Sequence, residues 1–427
     1  MDLVRLLLLV CALASLLAAL GCSMTGEATG EEGTFEDIAR KVRQRGDPIV
    51  LQGDGQSRVL VSPHLQGRIL TLRVGSVEST GLVNLDAIEK GEVDPHFNNF
   101  GGVDRFWIYP EAGQFGLYFP PGVDFTRSTW KVPPDFDTGI LPVLSRNGDR
   151  VAMAKDMEVT NYTGNRFKVH VEREVGVLRA DRLGTELGME LPAGLEYVGA
   201  YSSNVLTNRG PEKWSAEKGL IGIWILGQFN PSDECVILAP FRSDGSDDRR
   251  DLGPPYNDDY FGKLSVEAPD RFKVIGNTVC FRADSKRVGK FGIGQMRTTG
   301  IAGSIDYGKN LLTIVKFDVP RNPEPYANSS WVKVQPDPYK GDALQSFNQG
   351  VEGKPGELPE APFYELESTS PVRPLAPGES LRHRHATHHF QGDPAKLKEI
   401  AAKLLGVDID EVRKAMLPGL SSERPKA

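Results

Sequence analysis

The sequence predicts an all-β protein, mainly antiparallel, that ends in a short helical appendage. Three observations carry this. Strand patterns recur along most of the chain: alternating apolar and polar residues in some segments, continuous β-branched and apolar runs in others. Turn formers are abundant, with 46 Gly and 30 Pro in 427 residues. And no alternating strand–helix rhythm exists, which argues against a doubly wound parallel sheet.

Taken in order, the first 24 residues, MDLVRLLLLVCALASLLAALGCSM, read as an export signal. Arg5 gives a basic start, and Leu6 to Leu20 is apolar or small. About 15 residues suits a secretory core better than a membrane span, which needs roughly 20. Ala19-Leu20-Gly21 ahead of Cys22 lets a lipoprotein peptidase approach, and the Cys22 thiol is the expected acylation point. Residues 1–21 are thus read as a lipoprotein signal peptide. Residues 22–33, rich in Gly, Glu, Thr and Ser, read as a flexible tether. Several acyl chains give a firm membrane anchor where one does not. The expected location is the cell envelope, facing periplasm or exterior. Ser23, where Asp often retains such proteins at the inner membrane, tilts the expectation toward the outer membrane.

Residues 34–392 are expected to form the β domain. Thr34 can cap a short helix whose apolar face is Phe35, Ile38 and Val42. Strands follow at Arg58–Ser62 and Arg68–Val74, and Phe167, Val169 and Val171 alternate with polar neighbours. Gly222–Leu226 and Cys235–Ala239 are continuous apolar runs, as in strands buried on both faces. Leu311–Asp318 is a further strand. Residues 393–427 change character. Asp393-Pro394 is an N-cap followed by proline, Leu397, Ile400, Leu404 and Leu405 make an apolar stripe, and Ile409, Val412 and Met416 mark a second helix. The pair is expected to pack on its own domain or on a partner.

Composition excludes some functions. The net charge of −7 is spread along the chain, and no basic stripe invites nucleic acid. No CxxC pair offers a zinc site. Cys235 and Cys280 could form one disulfide in an oxidising compartment or remain two buried thiols. No cofactor is expected. The acidic loop Ser243–Asp251 lacks the spacing of a calcium loop and reads as solvated.

Two segments hold the residues for chemistry. In the first, His96 to Phe119, Gly101-Gly102 permits a tight backbone, and Asp104, Arg105, Trp107 and Glu111 set carboxylates and a guanidinium beside aromatic rings. Sugars are bound by such groups, since C–H faces stack on rings and hydroxyls meet planar polar groups. The competing reading is an internal ion pair beneath aromatic core. In the second, Glu365 and Glu367 are two residues apart and share one strand face, with Leu366 toward the core. Further on, His383, His385 and His389 share one strand face, and Arg382, Arg384 and His388 the other. Such histidines can transfer protons, ligate a metal, or line a polar face.

The segments GGVDRFWIYPE (Gly101 to Glu111), LLTIVKFDVP (Leu311 to Pro320), GDALQSFNQG (Gly341 to Gly350) and YELESTSP with LAPGES (Tyr364 to Ser380) resemble the galactose mutarotase-like superfamily. More narrowly, they resemble a family of envelope lipoproteins and secreted proteins within it. Gln66-Gly67-Arg68-Ile69 looks like that superfamily's Gly-Gly-Arg-Ile turn. The resemblance covers most of Gln52 to Phe390 and implies an antiparallel β-supersandwich with a carbohydrate site on a concave face. It also implies a Glu general base on a late strand, matched in place by Glu365 or Glu367. The general acid His of the epimerases lies mid-chain. Here His170 is the only mid-chain His and its neighbours do not match, which leaves His383 or His385 to supply the acid. The expectation is a lipid-anchored protein that binds or processes a sugar. Its rivals are a non-catalytic scaffold and a metalloenzyme using His383, His385 and His389.

Overall fold

The computed structural model describes residues 33–91, 93–244, 252–350 and 361–419. The expected signal peptide, Cys22, nearly all of the tether, most of the acidic loop and the end of the C-terminal tail lie outside the described residues. The folded unit begins at Thr34. In chain order its elements are helix α1 (Phe35–Val42), strands β1 (Ile49–Gln52), β2 (Arg58–Ser62) and β3 (Arg68–Arg73), helix α2 (Leu85–Lys90), then β4 (Arg105–Tyr109), β5 (Val143–Arg146), β6 (Arg150–Thr160), β7 (Arg166–Leu178), β8 (Glu196–Asn208), β9 (Gly222–Phe229) and β10 (Cys235–Pro240). They continue with β11 (Phe272–Ile275), β12 (Thr278–Arg282), β13 (Gly289–Gly294), β14 (Ile301–Asp306), β15 (Leu311–Phe317), β16 (Asp342–Asn348), β17 (Tyr364–Thr369), β18 (Ser380–Gln391), and helices α3 (Pro394–Leu405) and α4 (Ile409–Met416).

The all-β, antiparallel fold with a C-terminal helix pair is as expected. A ten-stranded sheet runs β11-β12-β10-β14-β15-β18-β8-β7-β6-β5, and a five-stranded sheet runs β13-β16-β17-β9-β4. β1 to β3 form a separate three-stranded sheet. The two large sheets face each other across one core that draws on both, including Val151, Val171, Ile225 and Leu366. Long strands with period-2 burial explain the arrangement: β7 buries Phe167, Val169, Val171, Arg173 and Val175 and leaves Arg166, Lys168 and Glu172 outside.

The continuous apolar run of β10 has a specific cause. Cys235, Ile237 and Ala239 enter the core between the sheets, while Val236 and Leu238 enter a second core beneath α3 and α4. Leu397, Ile400, Leu405, Val412 and Met416 supply the helical side of that core. Each side chain of this kind gains about 1.5–3 kcal/mol on burial, so the pair docks on its own sheet. Asp393 accepts from Ala395 N, and Gly406 closes α3 in the left-handed region, as the caps predict. Cys235 and Cys280 are two free, buried thiols. Cys280 stands opposite Leu238, three residues from Cys235.

Candidate functional site

Strand period divides the first segment. Asp104 and Arg105 are adjacent, so their side chains leave β4 on opposite faces. Asp104 turns inward to an ion pair with Arg173 of β7, 2.7 Å between Nη2 and Oδ1, both buried. Arg105 turns outward and pairs with Glu365 of β17. The expected joint carboxylate and guanidinium site is thus two separate ion pairs on two sides of one sheet. The entry to β4 needs its glycines: Gly101 has φ +82°, and a Cβ there would lie 2.1 Å from Leu82 O.

On the outer face of the five-stranded sheet, registry gathers residues from all five strands. Leu226 lies opposite both Arg105 and Glu367, Gln228 opposite Glu365, Gln345 opposite Glu367, and Phe347 opposite both Glu365 and Lys290. Glu367 is fully buried. It accepts from Trp224 Nε1 at 2.9 Å and from Lys290 Nζ at 3.3 Å. The Lys290 ammonium also lies over the rings of Trp224 and Tyr260, 5.2 and 5.4 Å from their centroids. Asp342, at the start of β16, accepts from Tyr260 Oη at 2.7 Å and Asn257 Nδ2 at 3.2 Å. Glycine at 292 makes room for it, since a Cβ would sit 2.3 Å from Asp342 Oδ2. Glu111 arrives from the covering loop and accepts from Trp130 Nε1 at 3.0 Å.

Burial sets the electrostatics. It raises the Glu365 carboxyl to about 7 and is reinforced by Glu367, although Arg105 and Lys290 pull the other way. Burial likewise raises Glu111, against the pull of Lys290, and Asp342, against the donors Tyr260 and Asn257. It opposes the charge on Lys290, but Glu367, Glu111 and Glu365 outweigh it and hold the ammonium above its ordinary value. Four buried polar atoms here have no protein partner: Arg105 Nε, Gln228 Oε1, Gln345 Oε1 and Glu367 Oε1. These four share one sheet face, and others lie elsewhere among the described residues, on the β18 histidines for example. Half-buried Glu111, Tyr260 and Trp331, with Phe261 at 49% exposure, border the cluster toward solvent.

The histidines are elsewhere. His383 Nε2 and His385 Nδ1 share the Ser368 hydroxyl, each at 2.8 Å, in the core between the sheets. Ser368 follows Glu367 and so points the opposite way. The five-stranded sheet therefore separates Glu365 and Glu367 from His383 and His385, and the expected base and acid are not brought together. His389 meets Thr313 at 3.0 Å, and His388, on the other face, meets Tyr197 at 2.9 Å. Among the described residues, no three His, Cys, Asp or Glu side chains gather to hold a metal ion. Trp107 is also not an open stacking platform. It is 4% exposed, donates to Phe136 O at 3.1 Å, and packs on Phe97, Tyr118 and Trp224. Lys290, Trp224, Gln228, Gln345, Asp342 and Tyr260 were not foreseen. Lys290 carried a signal, as a lone cation in the strand GKFGIG.

Two solved structures to which the chain is similar are a candidate aldose 1-epimerase from Escherichia coli K12 and a galactose mutarotase-like protein from Lactobacillus casei ATCC 334. The first is 13% identical with a TM-score of 0.47, covering 80% of this chain and 98% of the other. The second is 11% identical with a TM-score of 0.43, covering 80% and 99%. No curated protein sequence matches the chain. The sequence model of a family of unknown function (DUF6786) matches residues 33–416.

Proposed function

The chain belongs to DUF6786, and on that premise we propose that the outer face of its five-stranded sheet binds a carbohydrate. One observation carries the reading: four buried polar atoms without protein partners share one sheet face with charged groups and aromatic rings. A sugar offers hydroxyls that both donate and accept, and C–H faces that lie on rings such as Tyr260 and Trp331. Each such atom costs about 1–3 kcal/mol unless a ligand or water meets it. Glu365, raised to about 7, is suited to proton transfer near neutral pH, a contribution of roughly 10²–10⁴-fold where a reaction takes place.

A glycan array and titration calorimetry on the protein test this. Gln345→Leu removes one unpartnered group without touching an ion pair. It is expected to weaken sugar binding by about tenfold, equivalent to about 1.4 kcal/mol, while the melting temperature holds. Binding that is unchanged in Gln345→Leu, or a folded protein that binds no sugar, would overturn the proposal. We also propose that Cys22 is lipidated and holds the domain at the cell envelope, with the outer membrane as the expected site. Metabolic labelling with an alkynyl palmitate should mark the wild type and leave Cys22→Ala unmarked. Equal labelling of the two would refute it.

A further inference from the structure

Resting on that reading, we infer that the sugar bound on this face carries a free, protonated amine. Among the described residues, four carboxylates, Glu111, Asp342, Glu365 and Glu367, face the cluster, with Arg105 and Lys290 as the cations paired within it. Both cations are committed: Arg105 pairs with Glu365 and Lys290 with Glu367. Glu111 and Asp342 receive only neutral donors, an indole N–H from Trp130 and the groups of Tyr260 and Asn257. Buried negative charge that exceeds its counter-charge must recruit protons or a cation.

Three of the four unpartnered atoms, on Gln228, Gln345 and Glu367, are acceptors. These acceptors are unmet within the protein, and an ammonium brings three donors along with the missing charge. A bare metal ion does not fit, since no three ligating side chains converge among the described residues. An organic cation spreads its hydrogen bonds over separated acceptors. The rings already perform this task for Lys290, which lies over Trp224 and Tyr260. A carboxylated or phosphorylated sugar would add charge of the wrong sign.

The test is a ligand series on the unmodified protein, so no variant has to fold. Glucosamine and its β-linked oligomers are compared by calorimetry with glucose, N-acetylglucosamine and glucuronate and their oligomers. The amine is expected to bind at least about tenfold tighter than its acetylated or hydroxyl counterpart, and glucuronate to bind least. Repeating the titration in two buffers of different ionisation enthalpy should show proton release, as the ammonium displaces protons held among Glu111, Asp342 and Glu365. Among the described residues, the other titratable groups around this space include Arg105, Lys290, the phenols of Tyr260 and Tyr118, Arg68 and Asp137 beside Arg105, and Arg127 over the Trp130 ring. Asp342→Asn should narrow the preference for the amine. Equal binding of glucosamine and N-acetylglucosamine, or tighter binding of glucuronate, overturns the inference while leaving sugar binding standing. Failure of every sugar to bind overturns both.

Discussion

Acidifying the protein from about pH 7.5 to about pH 5 should cost it several kcal/mol of stability and bring its thermal midpoint down steeply. The cause is four buried imidazoles. Burial holds His383, His388 and His389 near 3 and His385 near 4, against an ordinary value of 6.5. Such a group is neutral in the folded protein and takes up a proton on unfolding. Its stabilising contribution is complete above pH 6.5 and is lost as pH falls from there toward 3, or toward 4 for His385. One pKa unit is worth about 1.4 kcal/mol, so at pH 5 each histidine forfeits about 2 kcal/mol, roughly 8 for the four. The outer-face carboxyls act in the opposite sense. Glu365, raised to about 7, binds its proton more readily when folded and returns about 2.5 kcal/mol by pH 5, with Glu111 and Asp342 adding to it. The histidines prevail, and the remainder is a large part of the 5–15 kcal/mol that holds a domain together. Circular dichroism melts across this range check the expectation. A midpoint that stays level or rises below pH 6.5 would contradict it, and His389→Gln should flatten the slope by about one proton.

The same histidines mark how far the sequence could be read. Their division between strand faces, His383, His385 and His389 on one and His388 on the other, follows from a period of two and is what β18 shows. What each face meets does not follow. Period fixes the side of a strand, whereas sheet order and the covering layer depend on pairings between distant segments. The apolar run of β10 announced burial on both sides but could not name the C-terminal helices as its second cover. Glu365 and Glu367 were correctly placed on one face, yet their partners come from β4, β9 and β13, as much as 260 residues away. Asp104 and Arg105 misled for the converse reason, since adjacency in sequence guarantees opposite faces in a strand.

Arg173→Met should destabilise the protein by about 3–5 kcal/mol, the cost of leaving a buried carboxylate without its partner. The guanidinium uses its whole fork. Nε donates to Gly67 O at 2.9 Å, Nη1 to Asn204 Oδ1 at 2.7 Å, and Nη2 to Asp104 O at 3.2 Å and Oδ1 at 2.7 Å. It thereby joins the turn before β3, the middle of the ten-stranded sheet and the entry to β4. With Met in place the stem still fills its space, but Asp104 keeps a charge that no water reaches, and Gly67 O and Asn204 Oδ1 lose a donor. Arg173→Lys should fall between the two, because an ammonium restores the charge without the planar fork. Adding Asp104→Asn to Arg173→Met should recover part of the loss, since the stranded charge is then gone. Urea unfolding at neutral pH measures all three, with midpoints compared at a common slope. A loss below about 1 kcal/mol for Arg173→Met would mean that the Arg173–Asp104 pair contributes little to stability. The effect should extend to the proposed sugar site, because the backbone that presents Arg105 to Glu365 is the one that Arg173 secures at Asp104.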